Sequence, residues 1–280
     1  MTRTFQRFAL IALAAVGASV LLVVAVTRWD MPADEHAYWL AAQRLLAGQQ
    51  LYDASATPGT PFAYWYPPIV AQVLAPVVAV LPSAIFSAVW ILLMLGCLWW
   101  LAGRSVLVAL AMCAFPPIAV EFWFRNVHLI IAVLLVLGLR RWGGWFSVGA
   151  AIDLSPGLSI PYLALRGLRR EALVATAFGA VLLAWSVAFA PDAWRQYLDI
   201  ALSLAPRDAP GLLPVPYLVR VVAGLLLTVI AARLEPRIGN PLLVVAVVLA
   251  LPALWFAALS TLAAVVPLMR TPAPRTATTA

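Results

Sequence analysis

The chain has 280 residues, of which 65% are hydrophobic and 10% are charged, and its mean hydropathy is +0.99. Average soluble domains are roughly 25% charged, so this composition excludes an ordinary soluble domain. The formal net charge is +7 and every basic residue is Arg. The arginines stand at the ends of apolar runs, where they set membrane topology and contact anionic headgroups. Membrane lipids are therefore the expected partners, and nucleic acid is not.

Apolar runs long enough to span a bilayer recur along the whole chain. Because lipid offers no hydrogen bonds to the backbone, such runs form helices. The sequence predicts an all-α polytopic membrane protein with roughly 8–10 transmembrane or half-membrane helices. A single transmembrane domain is expected over residues 1–270, followed by a disordered tail over 271–280.

The first span is expected at 8–26 and follows two arginines, which places the N-terminus in the cytoplasm. An outer, periplasmic loop over 27–66 comes next. Within it, residues 34–47 carry apolar side chains at the spacing of one helix face, which predicts a short amphipathic helix on the membrane surface. Further spans are expected at 68–81 and 83–102.

Two later segments are interrupted by prolines. The stretch 105–139 is broken at Pro116-Pro117, and 145–165 is broken at Ser155-Pro156-Gly157. The second is expected to form two half-helices that enter the membrane and return, an arrangement that is tolerated where it lines protein or a cavity. The side of Arg104 depends on how these breaks are counted. Alternating spans from the N-terminus place it outside, whereas counting back from Arg140 places it inside.

The last third predicts a span at 172–190, a second outer loop at 191–214 and a span at 215–232. The final apolar block, 241–269, is interrupted at 251–255. Trp194, Arg195, Tyr197 and Arg207 in the second loop either bind lipid phosphate or lie in the interface. Cys97 and Cys113 lie within apolar runs and are expected to be buried small hydrophobes.

Three polar residues open the helix of the first outer loop. Asp34 is either a helix cap or a general base that takes a proton from a sugar hydroxyl. Glu35 and His36 can tune that base or contact a phosphate, but adjacent helical residues point about 100° apart, so only one shares its pocket. The spacing matches no known metal site, and no metal or other cofactor is expected.

A second polar cluster, EFWFRNVH, lies in an otherwise apolar region at 121–128. Arg125 is a candidate phosphate contact, because guanidinium matches phosphate geometry; the alternative is an arginine that snorkels or pairs with Glu121. Asn126 and His128 are further candidate substrate contacts. Asp153 either caps the second half-helix with Ser155 or pairs with an arginine.

Aromatic residues precede the span at 68 in the segment FAYWYPP, which includes Tyr64 and Tyr66. They form either an interfacial aromatic belt or a platform for a sugar or an isoprenoid chain. The segment completes an ordered series of motifs: Asp34 with Tyr38, Leu46 to Gly48, Tyr52-Asp53, Tyr66 to Pro68, Leu81-Pro82 and Val89-Trp90.

This ordered series resembles the integral-membrane glycosyltransferases of family 87, mannosyltransferase-like enzymes of the wider GT-C group. The resemblance covers the first hundred residues best. Where the family usually has Gly-Gln-x-Asn, this chain reads Arg125-Asn126-Val127-His128. Where members often carry a Lys, it has Asp153.

The resemblance implies an inner (plasma) membrane enzyme with a GT-C-like fold. It would transfer a hexose, commonly mannose, from a polyprenyl-phosphate-sugar donor to a hydroxyl of a lipid or glycan acceptor at the outer face. Asp34 would be the general base, and Glu35, His36, Tyr38, Tyr64, Tyr66, Arg125, Asn126 and His128 would contact substrates. An inactive GT-C-like scaffold is the alternative, followed by a small-molecule transporter.

Overall fold

The structure is a computed structural model that describes residues 3–27, 30–52, 63–204 and 211–270. All regular structure in these ranges is helical, which confirms the predicted all-α fold. The helices are α1 (Arg3–Thr27), α2 (Ala33–Leu46), α3 (Pro68–Val80), α4 (Ser83–Leu101), α5 (Val106–Cys113), α6 (Pro116–Phe124), α7 (His128–Arg140), α8 (Gly144–Ile152), α9 (Ser159–Leu165), α10 (Arg169–Phe189), α11 (Pro191–Leu204), α12 (Tyr217–Arg233), α13 (Pro236–Leu249) and α14 (Val265–Arg270), with 3₁₀ helices at Ser155–Leu158 and Phe256–Ala264.

Long spanning helices are a minority in this membrane protein. Among the described residues, α1, α4 and α10 are long and apolar enough to cross a membrane, and α5 and α6 pass the same test as a pair bent by 89°. Several other apolar helices are shorter, among them α3 and α7. Much of the bundle is therefore built from short and broken helices that must pack against protein.

The joint between α5 and α6 confirms the predicted break at Pro116-Pro117. Proline occupies the first turn of α6, where its missing N–H and fixed φ are compatible with a helix start. On the other side of α5, α1 approaches so closely that a Cβ on Gly17 would lie 1.7 Å from the carbonyl oxygen of Leu110. Because α1 stays on α5 while α6 turns away, a gap opens between α1 and α6.

Arginine side chains join helix ends at one end of the bundle, called here the arginine end. Arg140 donates to the carbonyl oxygen of Pro267 at 2.6 Å. Arg166, at the end of α9, donates to the carbonyl oxygen of Leu234, which follows α12. The C-terminal ends of α7, α9 and α12 therefore meet at this end.

The position of Arg104 follows from the same set of contacts. Arg270 donates to the carbonyl oxygen of Ala102 at 2.9 Å, and α14, which carries Arg270, also receives the bond from Arg140. Arg104 comes two residues after Ala102. It lies at the arginine end, on the same side as Arg140.

The opposite end carries Asp34, Glu35 and Glu121 and is called here the acidic end. Both flanks of α3 contact it. Tyr66, just before α3, bonds Asn126, and Ser87, early in α4, bonds Arg125. A helix of 13 residues is about 20 Å long, shorter than a hydrocarbon core of about 30 Å. The contacts of both flanks place α3 along the acidic end, and the crossing at 68–81 stays a prediction. With α3 placed there, counting from the N-terminus puts Arg104 on the same side as Arg140.

The interrupted segment 145–165 has the predicted form, two short helices joined by a 3₁₀ turn. It leaves the arginine end after α7 and returns there at Arg166. The first half, α8, packs closely on α7, because a Cβ on Gly138 would lie 2.3 Å from the ring of Phe146. The break brings Asp153 into the bundle.

The final apolar block is interrupted near 250–255, close to the predicted 251–255. Arg220 of α12 donates to the carbonyl oxygens of Leu249, Leu251 and Pro252 at 3.1, 2.6 and 3.0 Å. These carbonyls end α13 and have no helical partner. The helix α13 itself begins at Pro236, earlier than the predicted 241.

The second outer loop is not simply irregular, because it contains α11. Trp194 donates to Ser186 at 2.9 Å, whereas Arg195 is exposed and pairs with Asp192. Cys97 and Cys113 are buried free thiols, as predicted. Three of the predicted features lie outside the described residues: Asp53, Arg207 and the tail 271–280.

Candidate functional site

Asp34 lies in the first turn of α2 and faces a turn that is 92 residues away in sequence. Its Oδ2 accepts a hydrogen bond from Asn126 Nδ2 at 2.6 Å. The residue before α2 is Pro32, and no side chain caps the helix. The prediction that Asp34 caps α2 is therefore wrong, because its carboxylate is directed to Asn126.

The environment of Asp34 disfavours its charge. Burial, followed by the negative charge of Glu121, raises the pKa of Asp34 from 3.8 to about 6. The hydrogen bond from Asn126 and the charge of His128 act in the opposite direction. A carboxylate with a pKa near 6 is ionised at neutral pH and still basic enough to accept a proton.

Asn126 is the centre of a hydrogen-bond network. Its Oδ1 accepts from the hydroxyls of Tyr38 and Tyr66, both at 2.8 Å, and from the backbone N–H of Val127 at 2.7 Å. Three elements therefore converge on one amide: α2, the residues before α3, and the turn between α6 and α7. The rings of Tyr38 and Tyr66 also contact each other edge to face, with centroids 5.1 Å apart.

Arg125 is buried beside this network. Its Nη1 donates to Glu35 Oε2 at 2.7 Å and to Ser87 Oγ at 2.8 Å, and Ser87 also donates to Glu35. Trp90 donates to the carbonyl oxygen of Arg125 at 2.8 Å. Glu35, and not Glu121, is thus the ion-pair partner of Arg125. Of the two residues after Asp34, Glu35 is the one that contacts the same α6–α7 turn, through Arg125.

The backbone conformation of Arg125 explains why Arg125 bonds Glu35 whereas the next residue, Asn126, bonds Asp34. Arg125 has φ of 55°, in the left-handed region that glycine adopts most easily. This conformation ends α6, and the N–H groups of Arg125 and Asn126 both bond to the carbonyl oxygen of Glu121, at 2.7 and 3.3 Å. The family that the sequence resembles usually has glycine at the position of Arg125.

Glu121 and His128 form a second buried pair. Glu121 Oε2 lies 2.9 Å from His128 Nδ1, and Oε1 accepts from the N–H groups of His128 and Leu129 at 2.7 and 3.3 Å. Glu121 therefore satisfies N–H groups that begin α7, which an acid at a helix N-terminus does favourably. The charges of both residues act on Asp34.

Tyr64 is part of the support beneath the network. Its hydroxyl donates to the carbonyl oxygen of Pro67 at 2.9 Å and accepts from the N–H of Ala71 at 3.1 Å. Tyr52 donates to the carbonyl oxygen of Tyr66 at 2.7 Å and packs on Tyr64, with ring centroids 5.5 Å apart. The aromatic segment is therefore a rigid start to α3 within the site.

Asp153 reaches the same region from the other side. Its Oδ1 accepts from the N–H of Ser155 at 3.1 Å, at the start of the 3₁₀ turn. The second half-helix, α9, has no side-chain cap, so the predicted cap of that helix is not formed. Among the described residues the pairing with an arginine is not formed. Asp153 interacts electrostatically with His128 and Tyr66.

Sequence reasoning missed several residues that build the site. Ser87 and Trp90 of α4 hold Arg125, and Gln196 of α11 accepts from the N–H groups of Leu51 and Tyr52 at 3.1 and 3.4 Å. Ser87 and Gln196 carry no local signal, since their roles depend on distant partners. His36 is half-buried, directly after Glu35. Within the described part of the chain, no three His, Cys, Asp or Glu side chains are placed to hold a metal ion.

A groove of about 600 Å³ lies between α1 and α6, in the gap that the bend after α5 creates. It is lined almost entirely by apolar atoms. Trp123 in its wall is two residues before Arg125, and α1 leads directly to α2. The lining residues are Ala15, Val16, Ser19, Val20, Val23, Val24, Ala119, Val120 and Trp123.

The sequence matches the family model of glycosyltransferase family 87 over residues 64–273. The match contains α3 to α14 and therefore the turn between α6 and α7. Asp34 lies before it. No curated protein and no solved structure matches the chain.

Proposed function

Given that this chain belongs to glycosyltransferase family 87, we propose that it transfers a hexose from a polyprenyl-phosphate-sugar to an acceptor hydroxyl, with Asp34 as general base. The observation that carries the proposal is the half-buried Asp34 carboxylate, held by Asn126 at 2.6 Å at the acidic end of a membrane bundle. Membership of the family makes the chain a membrane glycosyltransferase. The donor, the base and the orientation are our proposal.

The chemical step is a single displacement with inversion. Asp34 accepts the proton of the acceptor hydroxyl while the hydroxyl oxygen attacks the anomeric carbon of the donor sugar. The bond between that carbon and the phosphate oxygen breaks, and polyprenyl phosphate leaves with the bonding electrons. A pKa near 6 suits the base, because proton transfer is efficient when the pKa lies close to the working pH.

The leaving phosphate requires positive charge. The charge of Arg125 is balanced by Glu35, whereas His128 is held through Nδ1 by Glu121, and Nε2 is its second donor when the ring is protonated. We assign the phosphate contact to protonated His128. Substrate contacts by Glu35, His36, Tyr38, Tyr64 and Tyr66 remain predictions.

Two features support a lipid-linked donor. The groove between α1 and α6 is lined almost entirely by apolar atoms, so it can hold a hydrocarbon chain. Its α6 wall leads to the turn that carries Arg125 and His128, where a phosphate is expected. The acidic end faces outward in this proposal, because the arginines gather at the other end and favour the cytoplasm. Mannose is the proposed sugar, from the resemblance alone, and the inner membrane the proposed location.

One observation favours the second candidate, an inactive scaffold of the same family. Arg125, Glu35, Tyr38 and Tyr66 all have protein partners within the site. A scaffold needs only that its buried polar side chains are hydrogen-bonded to one another. An enzyme must in addition bind a donor and lose activity when its base is removed.

The test is a transfer assay with purified protein in detergent, radiolabelled polyprenyl-phosphate-hexoses and membrane lipid extract. Wild type is compared with Asp34→Asn and with Asp30→Asn, an exposed acid four residues earlier. We expect transfer by wild type and Asp30→Asn, and a loss of at least about a thousandfold in Asp34→Asn. Equal transfer by all three proteins removes Asp34 from the mechanism. No transfer with any donor of the panel favours the scaffold.

A further inference from the structure

We propose that Asn126 is a positioning residue that orients Asp34, with no substrate contact of its own. This inference rests on the proposed function only in taking Asp34 as the base. It replaces the earlier expectation that Asn126 contacts a substrate. The support is the direction of each hydrogen bond around the amide.

The orientation of the Asn126 amide is determined by its neighbours. The backbone N–H of Val127 can only donate, and it lies 2.7 Å from one end of the amide, so that end is the carbonyl oxygen. The hydroxyls of Tyr38 and Tyr66 donate to the same oxygen. A flipped amide would place its NH₂ group against the N–H of Val127 and its carbonyl oxygen against the carboxylate of Asp34. The NH₂ group must therefore face Asp34.

The amide fixes one carboxylate oxygen and leaves the other for chemistry. Asp34 Oδ2 accepts from Asn126, and Oδ1 is then the oxygen that can receive the acceptor proton. Because Oδ1 of Asn126 is held by side chains from α2 and from the start of α3, the amide cannot rotate without breaking three bonds. Asn126 thus couples the α6–α7 turn to the base on α2.

The same bond helps to keep Asp34 ionised, because a donor to a carboxylate stabilises the charged form. The groups that act on Asp34 from the surrounding elements are Glu121 of α6, His128 of α7, Tyr38 of α2 and Tyr66 before α3. Of these, Glu121 disfavours the charge and His128 favours it. Loss of the amide donor leaves the other effects in place.

The discriminating variant is Asn126→Asp. An aspartate keeps an acceptor for Tyr38, Tyr66 and Val127 but replaces the NH₂ donor with a carboxylate oxygen. Two carboxylates that share a proton titrate as a pair, and one of the two pKa values rises strongly. We expect the acid limb of the kcat–pH profile to move upward by more than about one pH unit, with about tenfold or greater loss at pH 7 and a nearly constant KM.

Asn126→Ser is the second variant, in case the added charge prevents folding. Serine cannot reach Asp34 and carries no charge, so a smaller upward shift of the acid limb is expected. Tyr162→Phe is the matched control: it removes a hydroxyl that donates to the amide oxygen of Asn240, a buried Tyr–Asn pair outside the site, and the acid limb of the profile should stay in place.

A readout without substrate separates this inference from the proposed function. The infrared carbonyl band that disappears in Asp34→Asn reports protonation of Asp34 directly, and its midpoint should rise in both Asn126 variants. An unchanged midpoint in Asn126→Asp overturns the inference. A raised KM with an unchanged pH profile overturns it too, since Asn126 would then contact substrate. Absence of transfer by wild type counts against the proposed function alone.

Discussion

Asp34 has an amide as its direct partner, and its neighbours include two buried ion pairs, Glu35 with Arg125 and Glu121 with His128. Buried charges are ordinarily compensated in this way. Asp34 has instead a neutral donor and a repulsive neighbour, and its pKa is raised to about 6. At the residue scale the site is therefore distinguished by a carboxylate, Asp34, whose charge its surroundings do not fully stabilise.

The raised pKa of Asp34 predicts that the difference in stability between wild type and Asp34→Asn depends on pH. An acid whose pKa is 3.8 when unfolded and about 6 when folded weakens the fold as pH rises between these values, because the folded state must give up a proton it binds more tightly. Above pH 6 the loss is about 3 kcal/mol. Asp34→Asn removes it, so this variant should unfold at a higher temperature than wild type at pH 8.

The measurement is thermal unfolding in detergent at pH 8 and near pH 4.5. The advantage of Asp34→Asn should shrink at the lower pH, where wild-type Asp34 is protonated in the folded protein. Asp30→Asn, at an exposed position, should show no pH-dependent difference. A lower unfolding temperature for Asp34→Asn at pH 8 would contradict the prediction.

At the scale of elements, bends place the site. The 89° turn between α5 and α6 directs α6 toward α2, and the left-handed Arg125 reverses the chain into α7. The interrupted segment after α7 then brings Asp153 toward His128. Each of these features interrupts a helix. Together they bring acidic and basic side chains close to Asp34.

The contact between α1 and α5 should be sensitive to a single methyl group. A Cβ on Gly17 would lie 1.7 Å from the backbone oxygen of Leu110, and backbone cannot move aside as a side chain can. Gly17→Ala should force α1 away from α5 and destabilise the protein by about 1–3 kcal/mol. Thermal unfolding and protease resistance of the purified variant report this.

Gly96→Ala is the matched control, because a Cβ at Gly96 meets nothing within 4 Å. Alanine has the higher helix propensity, so this variant should be as stable as wild type or slightly more so. Equal stability of Gly17→Ala and Gly96→Ala would show that α1 does not pack on α5 in this way.

At the scale of the whole molecule, the fold separates charge between its ends. Arg140, Arg166 and Arg270 bond helix ends at one end, and the network around Asp34 lies at the other. Because α3 runs along the acidic end, α4 returns directly to the arginine end. This separation is the expected result of the positive-inside rule.

Accessibility of introduced cysteines tests this topology in intact cells. With Cys97 and Cys113 replaced by Ala, single cysteines at Gln49 and Ser83 should react alike with an impermeant maleimide, because both lie at the acidic end. Cysteines at Arg104 and Arg141 should behave in the opposite way. If Ser83 behaves like Arg104, α3 crosses the membrane after all.

Local patterns determined many of the element boundaries correctly. Proline breaks, helix faces and arginine-terminated apolar runs are encoded by neighbours in sequence, which is why α2, α4 and the interrupted segments were predicted. The candidate residues Asp34 and Asn126 were singled out for a similar reason, since polar groups in an apolar region are costly. The motif of Asp34 also carried the family resemblance, whereas Asn126 stands where the chain departs from the family pattern.

The sequence by itself therefore determined the membrane class, the helix boundaries and the polar residues that merit attention. Only the tertiary structure decided that Arg125 pairs with Glu35, that Asn126 holds Asp34 and that both flanks of α3 contact the same turn. These facts depend on contacts between residues 38 to 92 positions apart, which no local period or motif specifies. Distances across the bundle, and the direction of each hydrogen bond, exist only once the helices are packed.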